Sequence, residues 1–382
     1  MIEQSLNYLL AHADEMRADL RALVELESPS DDPIALRHCA AWIAERARDL
    51  IGGHIRVVEQ PEGPHLDVEF DDRSRPAVLL LGHFDTVWPI GTIAARPYRE
   101  GDGLARGPGA FDMKAGIVQG LWAVRSLQAV RPETLALRLL LTSDEEVQSR
   151  RSRSLIEAAA RDARAVLVLE PSLDGALKTS RKGVGRFEVT IRGRAAHAGV
   201  DPEVGRSAVD ELARVIGYLH GLTDAKTGTT VNVGVVRGGT RANVVAAEAH
   251  AIVDVRVKSQ IEGERVASLV RGMTPSRDGI EISVTGDFAR PPMERTPQVA
   301  ALFESAQRLG ERIGLRLSEA STGGGSDANF CGALGIPVLD GLGAVGGGAH
   351  AVDEYVVTEC MAPRAALVAG LIDACHCERW RS

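Results

Sequence analysis

Cysteine is sparse and unpatterned in this sequence. Its five residues, Cys39, Cys331, Cys360, Cys375 and Cys377, are odd in number and form no CxxC pair. That argues against a disulfide framework and against a cysteine-based zinc site. Cys375-His376-Cys377 holds metal-competent donors, but its place at the end of the chain favours a frayed helix terminus. Basic clusters are equally few. The formal net charge is −8, and the runs Arg150-Arg151-Ser152-Arg153 and Arg181-Lys182 are short, so nucleic acid is not an expected partner. No apolar run approaches transmembrane length, and no membrane partner is expected. The stretch from Met1 to Leu26 is amphipathic with charges throughout, unlike the basic start and apolar core of a signal peptide. A reducing cytoplasm is the expected location.

What is present is ordinary globular composition, 45% hydrophobic and 25% charged over 382 residues, a length that favours two domains. The organising stretch is Val78-Leu79-Leu80-Leu81-Gly82-His83-Phe84-Asp85-Thr86. An apolar run between Pro76 and Gly82 reads as a strand buried on both faces. His83 and Asp85 follow just past its end, where open α/β sheets bind ligands. Period-2 alternation puts both side chains on one side.

Around this strand the chain alternates helices and strands. Helices are expected from Ile2 to Leu26, with a break near Ala13, and from Pro33 to Leu50. Early strands are expected at Ile55–Glu59 and Leu66–Phe70, and a loop from Trp88 to Gly109. Asp112 then stands at a loop-to-helix junction, either as a helix cap or as a ligand served by the preceding glycines. A strand at Leu135–Leu141 ends in Asp144-Glu145-Glu146, and another at Ala165–Leu169 ends in Glu170-Pro171. Clustered carboxylates after a buried strand are costly unless a cation neutralises them; a solvated acidic turn is the simpler alternative. This order predicts an α/β domain with a mostly parallel sheet. From Gly185 the texture changes to one-faced alternation, and strands and helices follow as βαββαβ up to Gly286, the ferredoxin-like α+β order. Residues 178–288 are therefore expected to form an inserted domain, with 1–177 and 289–382 forming the first. His350 lies in a late glycine-rich loop before a C-terminal helix.

Collected, His83, Asp85, Asp112, Glu145, Glu146, Glu170 and His350 each follow a buried strand or a glycine-rich loop. Imidazoles and carboxylates without thiolates suit zinc, cobalt or manganese. With its Gly82-His83-Phe84-Asp85-Thr86-Val87, Asp112-Met113-Lys114-Ala115-Gly116, Ser143-Asp144-Glu145-Glu146, Glu170-Pro171, Ala196-His197-Ala198-Gly199 and Thr322-Gly323-Gly324-Gly325-Ser326-Asp327 motifs, the chain resembles the two-zinc metallopeptidases. That family includes glutamate carboxypeptidases, aminoacylases, acetylornithine deacetylase and succinyl-diaminopimelate desuccinylase. The motifs span almost the whole chain in family order, and Phe84, Pro171 and the Thr-Gly-Gly-Gly-Ser-Asp stretch look most like the glutamate carboxypeptidase branch.

The resemblance implies two Zn2+ ions, with Co2+ or Mn2+ as alternatives. Asp112 would bridge them, His83 and Glu170 would complete one site, and Glu146 and His350 the other. Asp85 would orient His83, a cis peptide would follow Asp112, and Glu145 would serve as general base. The inserted domain would act as a dimerisation and lid domain, and His197 would reach the partner subunit's active site in a homodimer. Asn243 and Arg256 match positions that hold the substrate carboxylate, a task suited to a guanidinium. On their residues alone, His197 reads as a surface-loop histidine and Arg256 as an exposed strand residue. The implied reaction is amide hydrolysis of an N-acyl amino acid or peptide, releasing a C-terminal amino acid, with glutamate expected. An N-acyl amino acid deacylase or dipeptidase is the alternative. A metal-free binding protein is a further one, opposed by the presence of every implied ligand and of Glu145. Gln148, where relatives generally have glycine, and Arg181-Lys182, where folate-cleaving members have smaller residues, depart from the family pattern and bear on the substrate more than on the reaction.

Overall fold

A computed structural model describes residues 1–70, 76–131 and 136–377. The chain divides into two compact units, Met1–Thr179 with Arg295–Ser321 and Ser326–Ser382, and Ser180–Glu294 with Thr322–Gly325. Among the described residues no helix is long and apolar enough to cross a membrane.

The first unit is built on a six-stranded sheet in the order His54–Val58, His65–Phe70, Leu137–Thr142, Ala77–His83, Ala163–Val168 and Val338–Leu339. The last four strands run parallel, and the first two add antiparallel pairings at one edge, so the sheet is mostly parallel, as the sequence predicts. Val78, Leu79, Leu80 and Leu81 are at most 1% exposed. Burial of each such side chain contributes about 1.5–3 kcal/mol, which fixes the strand that carries His83. The helix Ala115–Val130 and the C-terminal helix Met361–Cys377 are buried nearly all round, packing against each other. Pro33–Leu50 forms the expected helix, with Asp32 accepting hydrogen bonds from the Ile34 and Ala35 N–H groups at its start. The N-terminal segment is broken into Ile2–Ala11 and Ala13–Glu25 at His12, one residue before the expected break.

One expectation needs revision. Residues 88–109 are not simply a loop: they hold a short helix, Thr92–Ala95, and the strands Arg99–Gly101 and Leu104–Arg106. Three-residue strands carry no readable periodicity, and these are held by backbone pairing with each other and with Tyr355–Val357. The strand expected from Leu135 is described from Leu137 onward; Leu135 itself lies outside the described residues.

The second unit holds a four-stranded antiparallel sheet in the order Thr230–Gly238, Glu248–Val257, Gly183–Arg192, Glu281–Arg290. The helices Ala208–His220 and Gln260–Arg271 contribute Leu212, Val215, Leu219, Val266 and Val270 to its core. Along Glu248–Val257, Ala249, Ala251, Val253, Val255 and Val257 are at most 2% exposed, which is the alternation of a sheet with one covered face. The strand order and the βαββαβ chain order together are ferredoxin-like.

Candidate active site

The three parallel strands Ala77–His83, Leu137–Thr142 and Ala163–Val168 point their C-terminal ends to one sheet edge. His83 ends the first, Glu145 and Glu146 follow the second and Glu170 follows the third. Asp112 is delivered to the same edge by the segment Gly109–Lys114, which enters the helix Ala115–Val130. Gly109 has φ +72°, and a Cβ there would lie 2.5 Å from Thr86 Cγ2; only glycine takes that conformation at that closeness without cost. Asp112 is not a helix cap. Its backbone is extended, at φ −115° and ψ 96°, and the Asp112–Met113 peptide is cis.

Asp112 offers one carboxylate oxygen to each of two groups. Its Oδ1 lies 3.3 Å from His83 Nε2, which is 3.6 Å from Glu170 Oε1. Its Oδ2 lies 3.4 Å from His350 Nε2, which is 3.1 Å from Glu146 Oε1. Within each triad, His83–Asp112–Glu170 and Asp112–Glu146–His350, the potential ligand atoms lie within 4.8 Å of one another. Among the described residues, Asp112 Oδ1 is buried without a hydrogen-bond partner. A buried carboxylate oxygen left in that state asks for a cation. The donors are two imidazoles and three carboxylates, and they fit two borderline divalent ions.

The electrostatics of the metal-free protein follow from this crowding. Burial opposes a charge on His83, but Asp112, Asp85 and Glu170 carry its pKa well above the ordinary imidazole value. Asp112, with Glu146 behind it, pushes the His350 pKa up to about 10. Burial works to raise the Asp112 pKa, and His350 and His83 outweigh it, holding the carboxyl below its usual range. Burial pushes the Glu146 pKa up. His350 is itself in the left-handed region, at φ +60°, where a non-glycine residue costs roughly 1–2 kcal/mol.

Asp85 is fully buried and ties the acidic segment to the His83 strand. Its Oδ1 lies 3.4 Å from His83 Nδ1 and accepts the Glu145 N–H at 3.1 Å; its Oδ2 accepts the Glu146 N–H at 3.1 Å and the Ser30 hydroxyl at 2.7 Å. The Asp85 backbone carbonyl is also 3.1 Å from His83 Nδ1. One carboxylate therefore sets the place of Glu145, Glu146 and the His83 ring. Gln148 has φ +76°, which explains physically why glycine suits this position.

One functional residue escapes sequence reasoning. Glu354 is 2% exposed. Its Oε1 accepts the backbone N–H groups of Phe111 and Asp112, at 2.9 and 3.0 Å; its Oε2 accepts that of Gly109 at 2.9 Å and the Trp88 indole N–H at 3.1 Å. Burial pushes its pKa up, against those donors. A single glutamate has no spacing signal, and its partners are backbone groups that leave no trace in a sequence.

In the second unit, the loops of His197 and Asn243 lie together. The Ala198 N–H donates to the Asn243 carbonyl at 3.0 Å, and the Val245 N–H donates to the Ala196 carbonyl at 2.9 Å. His197 is exposed, and its Nδ1 accepts the Gly199 N–H at 3.1 Å. In the neutral ring the proton therefore sits on Nε2, which is left as a donor. Arg256 donates to both Asp254 oxygens, at 2.9 and 3.0 Å, and to the Gly323 carbonyl at 3.2 Å. The Lys182 N–H holds the Thr322 carbonyl at 3.0 Å, and Arg181, buried, holds the Gly324 carbonyl at 3.1 Å. Arg181 thus secures the glycine-rich segment. At the other end of the chain, His376 places its ring nitrogens against the Ile372 and Ala136 carbonyls, an arrangement that secures the C-terminal helix.

The model of peptidase family M20/M25/M40 matches residues 79–374. The chain is 30% identical over 318 residues to carboxypeptidase G2 of Pseudomonas sp. (strain RS-16), covering 81% of this chain and 76% of that protein. It is 32% identical over 357 residues to succinyl-diaminopimelate desuccinylase of Cereibacter sphaeroides, covering 86% and 91%. Among solved structures, aminopeptidase PepT from Bacillus cereus superposes with a TM-score of 0.78 at 23% identity, covering 95% of this chain and 99% of that one; that likeness is one of fold.

Proposed function

The chain belongs to peptidase family M20/M25/M40 and is a metal-dependent peptidase or amidohydrolase, and from that premise we propose that it is a carboxypeptidase that releases a C-terminal amino acid, glutamate foremost, from an N-acyl or peptidyl substrate. The observation that carries this reading is the Asp112 carboxylate, with one oxygen toward His83 and the other toward His350. His83, Asp112 and Glu170 would hold one ion and Asp112, Glu146 and His350 the other, with zinc proposed and cobalt or manganese suited to the same donors. When bound, such ions lower the pKa of a water and polarise an amide carbonyl.

Glu145 is the general base in this reading. It takes a proton from the attacking water and returns it to the leaving amine, so that the C–N bond breaks to a free amino acid and a carboxylic acid. Its neighbour Glu146 faces His350, which separates the proton carrier from the ligand. Asp85 keeps both in place through their backbone N–H groups. His197, with Nε2 as donor, polarises the scissile carbonyl in a partner subunit, and the 178–288 segment serves as dimerisation and lid domain of a homodimer. Arg256 and Asn243 receive the substrate's α-carboxylate. The cytoplasm is the location we propose, on the cysteine usage of the sequence. The desuccinylase relative, 91% of which is covered, supports a second reading, deacylation of another N-acyl amino acid.

The test is amino-acid release from a panel of dipeptides and N-acyl amino acids, acyl-glutamates included, with zinc-loaded protein. Glutamate release that stops on chelation is the expected result. Preferential release of another amino acid would replace glutamate, and turnover indifferent to chelation would overturn the mechanism.

A further inference from the structure

Asp112 is held from two directions by one loop. The strands Gly346–Gly347 and Tyr355–Val357 pair as a hairpin, and residues 348–354 form its turn. His350, in this turn, meets the Asp112 side chain through Nε2. Glu354, four residues on, meets the Asp112 backbone and the segment before it. The antiparallel pairing of Tyr355 with Arg106 brings Glu354 alongside Gly107, where the chain leads into Gly109. The turn has no slack there: Gly348 has φ +75°, and a Cβ on it would lie 2.9 Å from Glu354 Cα.

We infer that Glu354 is the positioning residue of the shared carboxylate: by gathering the N–H groups of Gly109, Phe111 and Asp112 it fixes the direction in which both Asp112 oxygens face. The inference rests on the two-ion reading above. Three features support a positioning role over simple core filling. The carboxylate takes four N–H donors, three of them from within four residues of one another, so the loop is gathered onto a single side chain. Two donors go to each oxygen, which resists rotation of the carboxylate. The fourth donor, the Trp88 indole, is itself held by the Arg96 guanidinium stacked 3.9 Å from its ring centroid. Asp112 belongs to both triads, so an error in its orientation is felt by both ions. A ligand of one triad alone does not have that property.

The experiment uses the full chain in two measurements. In the metal-free wild type, the amides of Gly109, Phe111 and Asp112 should exchange hydrogen far more slowly than free loop amides. Exchange at free-loop rates would overturn the inference without any variant. Glu354→Gln replaces one acceptor oxygen with an NH2 group that faces donors. Titration with Zn2+ against a competing chelator, well below the unfolding temperature, should show both affinities reduced by about 10–100-fold. Trp88→Phe, which removes one donor and leaves the three backbone bonds, should change them less than threefold. A folded Glu354→Gln protein with both affinities within twofold of wild type, or with one affinity lowered alone, would refute the positioning role. Fewer than two ions on the wild type would defeat the two-ion reading itself, while amide exchange still reports on Glu354.

Discussion

Asp85 offers the sharpest quantitative test of how the site is assembled. Its carboxylate is fully buried and serves the Glu145 and Glu146 N–H groups and the Ser30 hydroxyl, next to His83 Nδ1. Asp85→Ala strips two backbone donors of their acceptor at about 1–3 kcal/mol each. The hydroxyl of Ser30 can turn elsewhere, so the sum is about 2–6 kcal/mol, a large part of a typical folding free energy. Asp85→Asn is the better probe. Its single oxygen serves one N–H and its NH2 opposes the other, a loss of about 1–3 kcal/mol without a cavity. The same change removes the anion beside the His83 ring, and outer groups of this kind alter metal affinity by about 10–100-fold. Denaturant unfolding of the metal-free protein and chelator competition measure the two effects separately. An Asp85→Asn protein with wild-type stability and wild-type metal affinity would refute the reasoning.

Further expectations follow from other positions. Gln148→Gly should stabilise the protein by up to about 1.5 kcal/mol, because relief of a left-handed residue, about 1–2 kcal/mol, offsets or exceeds the added chain entropy of glycine, about 0.5–1 kcal/mol; a lower denaturant midpoint would show that the Gln148 side chain is holding something. In the metal-free protein the pKa of His350 is raised to about 10 and that of His83 is raised well above the ordinary value. Their protonated forms stabilise the fold fully below the unfolded pKa of about 6.5, and that stabilisation is lost as pH rises through the folded values. Metals must displace those protons, so affinity should climb with pH until it passes the folded values, with about two protons released per chain in weak buffer below them; pH-independent affinity would contradict this. Arg256→Ala should impair substrates with a free α-carboxylate more than their esters, and equal impairment would exclude the proposed contact.

The parallel strands are legible in the sequence because Val78–Leu81 and Ala165–Leu169 are continuous apolar runs, and the inserted sheet because Ala249 to Val257 alternate strictly. His83, Glu145, Glu146 and Glu170 stand at or just past the ends of the parallel strands, so apolar runs locate them, whereas Asp112 and His350 lie in glycine-rich segments and are marked by those glycines instead. What the sequence hides is held by backbone. The strands Arg99–Gly101 and Leu104–Arg106 have no apolar pattern, and Glu354 binds N–H groups that every residue carries. Arg181 reads as a charge that bears on the substrate, whereas its side chain is buried against a glycine carbonyl. Its place in the sequence says nothing of that partner, more than a hundred residues away in the chain.

Glu145→Gln tests the central claim most directly, with bound metal and turnover measured on the same preparation. The variant should retain two ions per chain, since Glu145 stands outside both triads, and lose about 10²–10⁴-fold in kcat, the usual contribution of a positioned general base. Turnover near the wild-type rate with both ions bound would contradict the account.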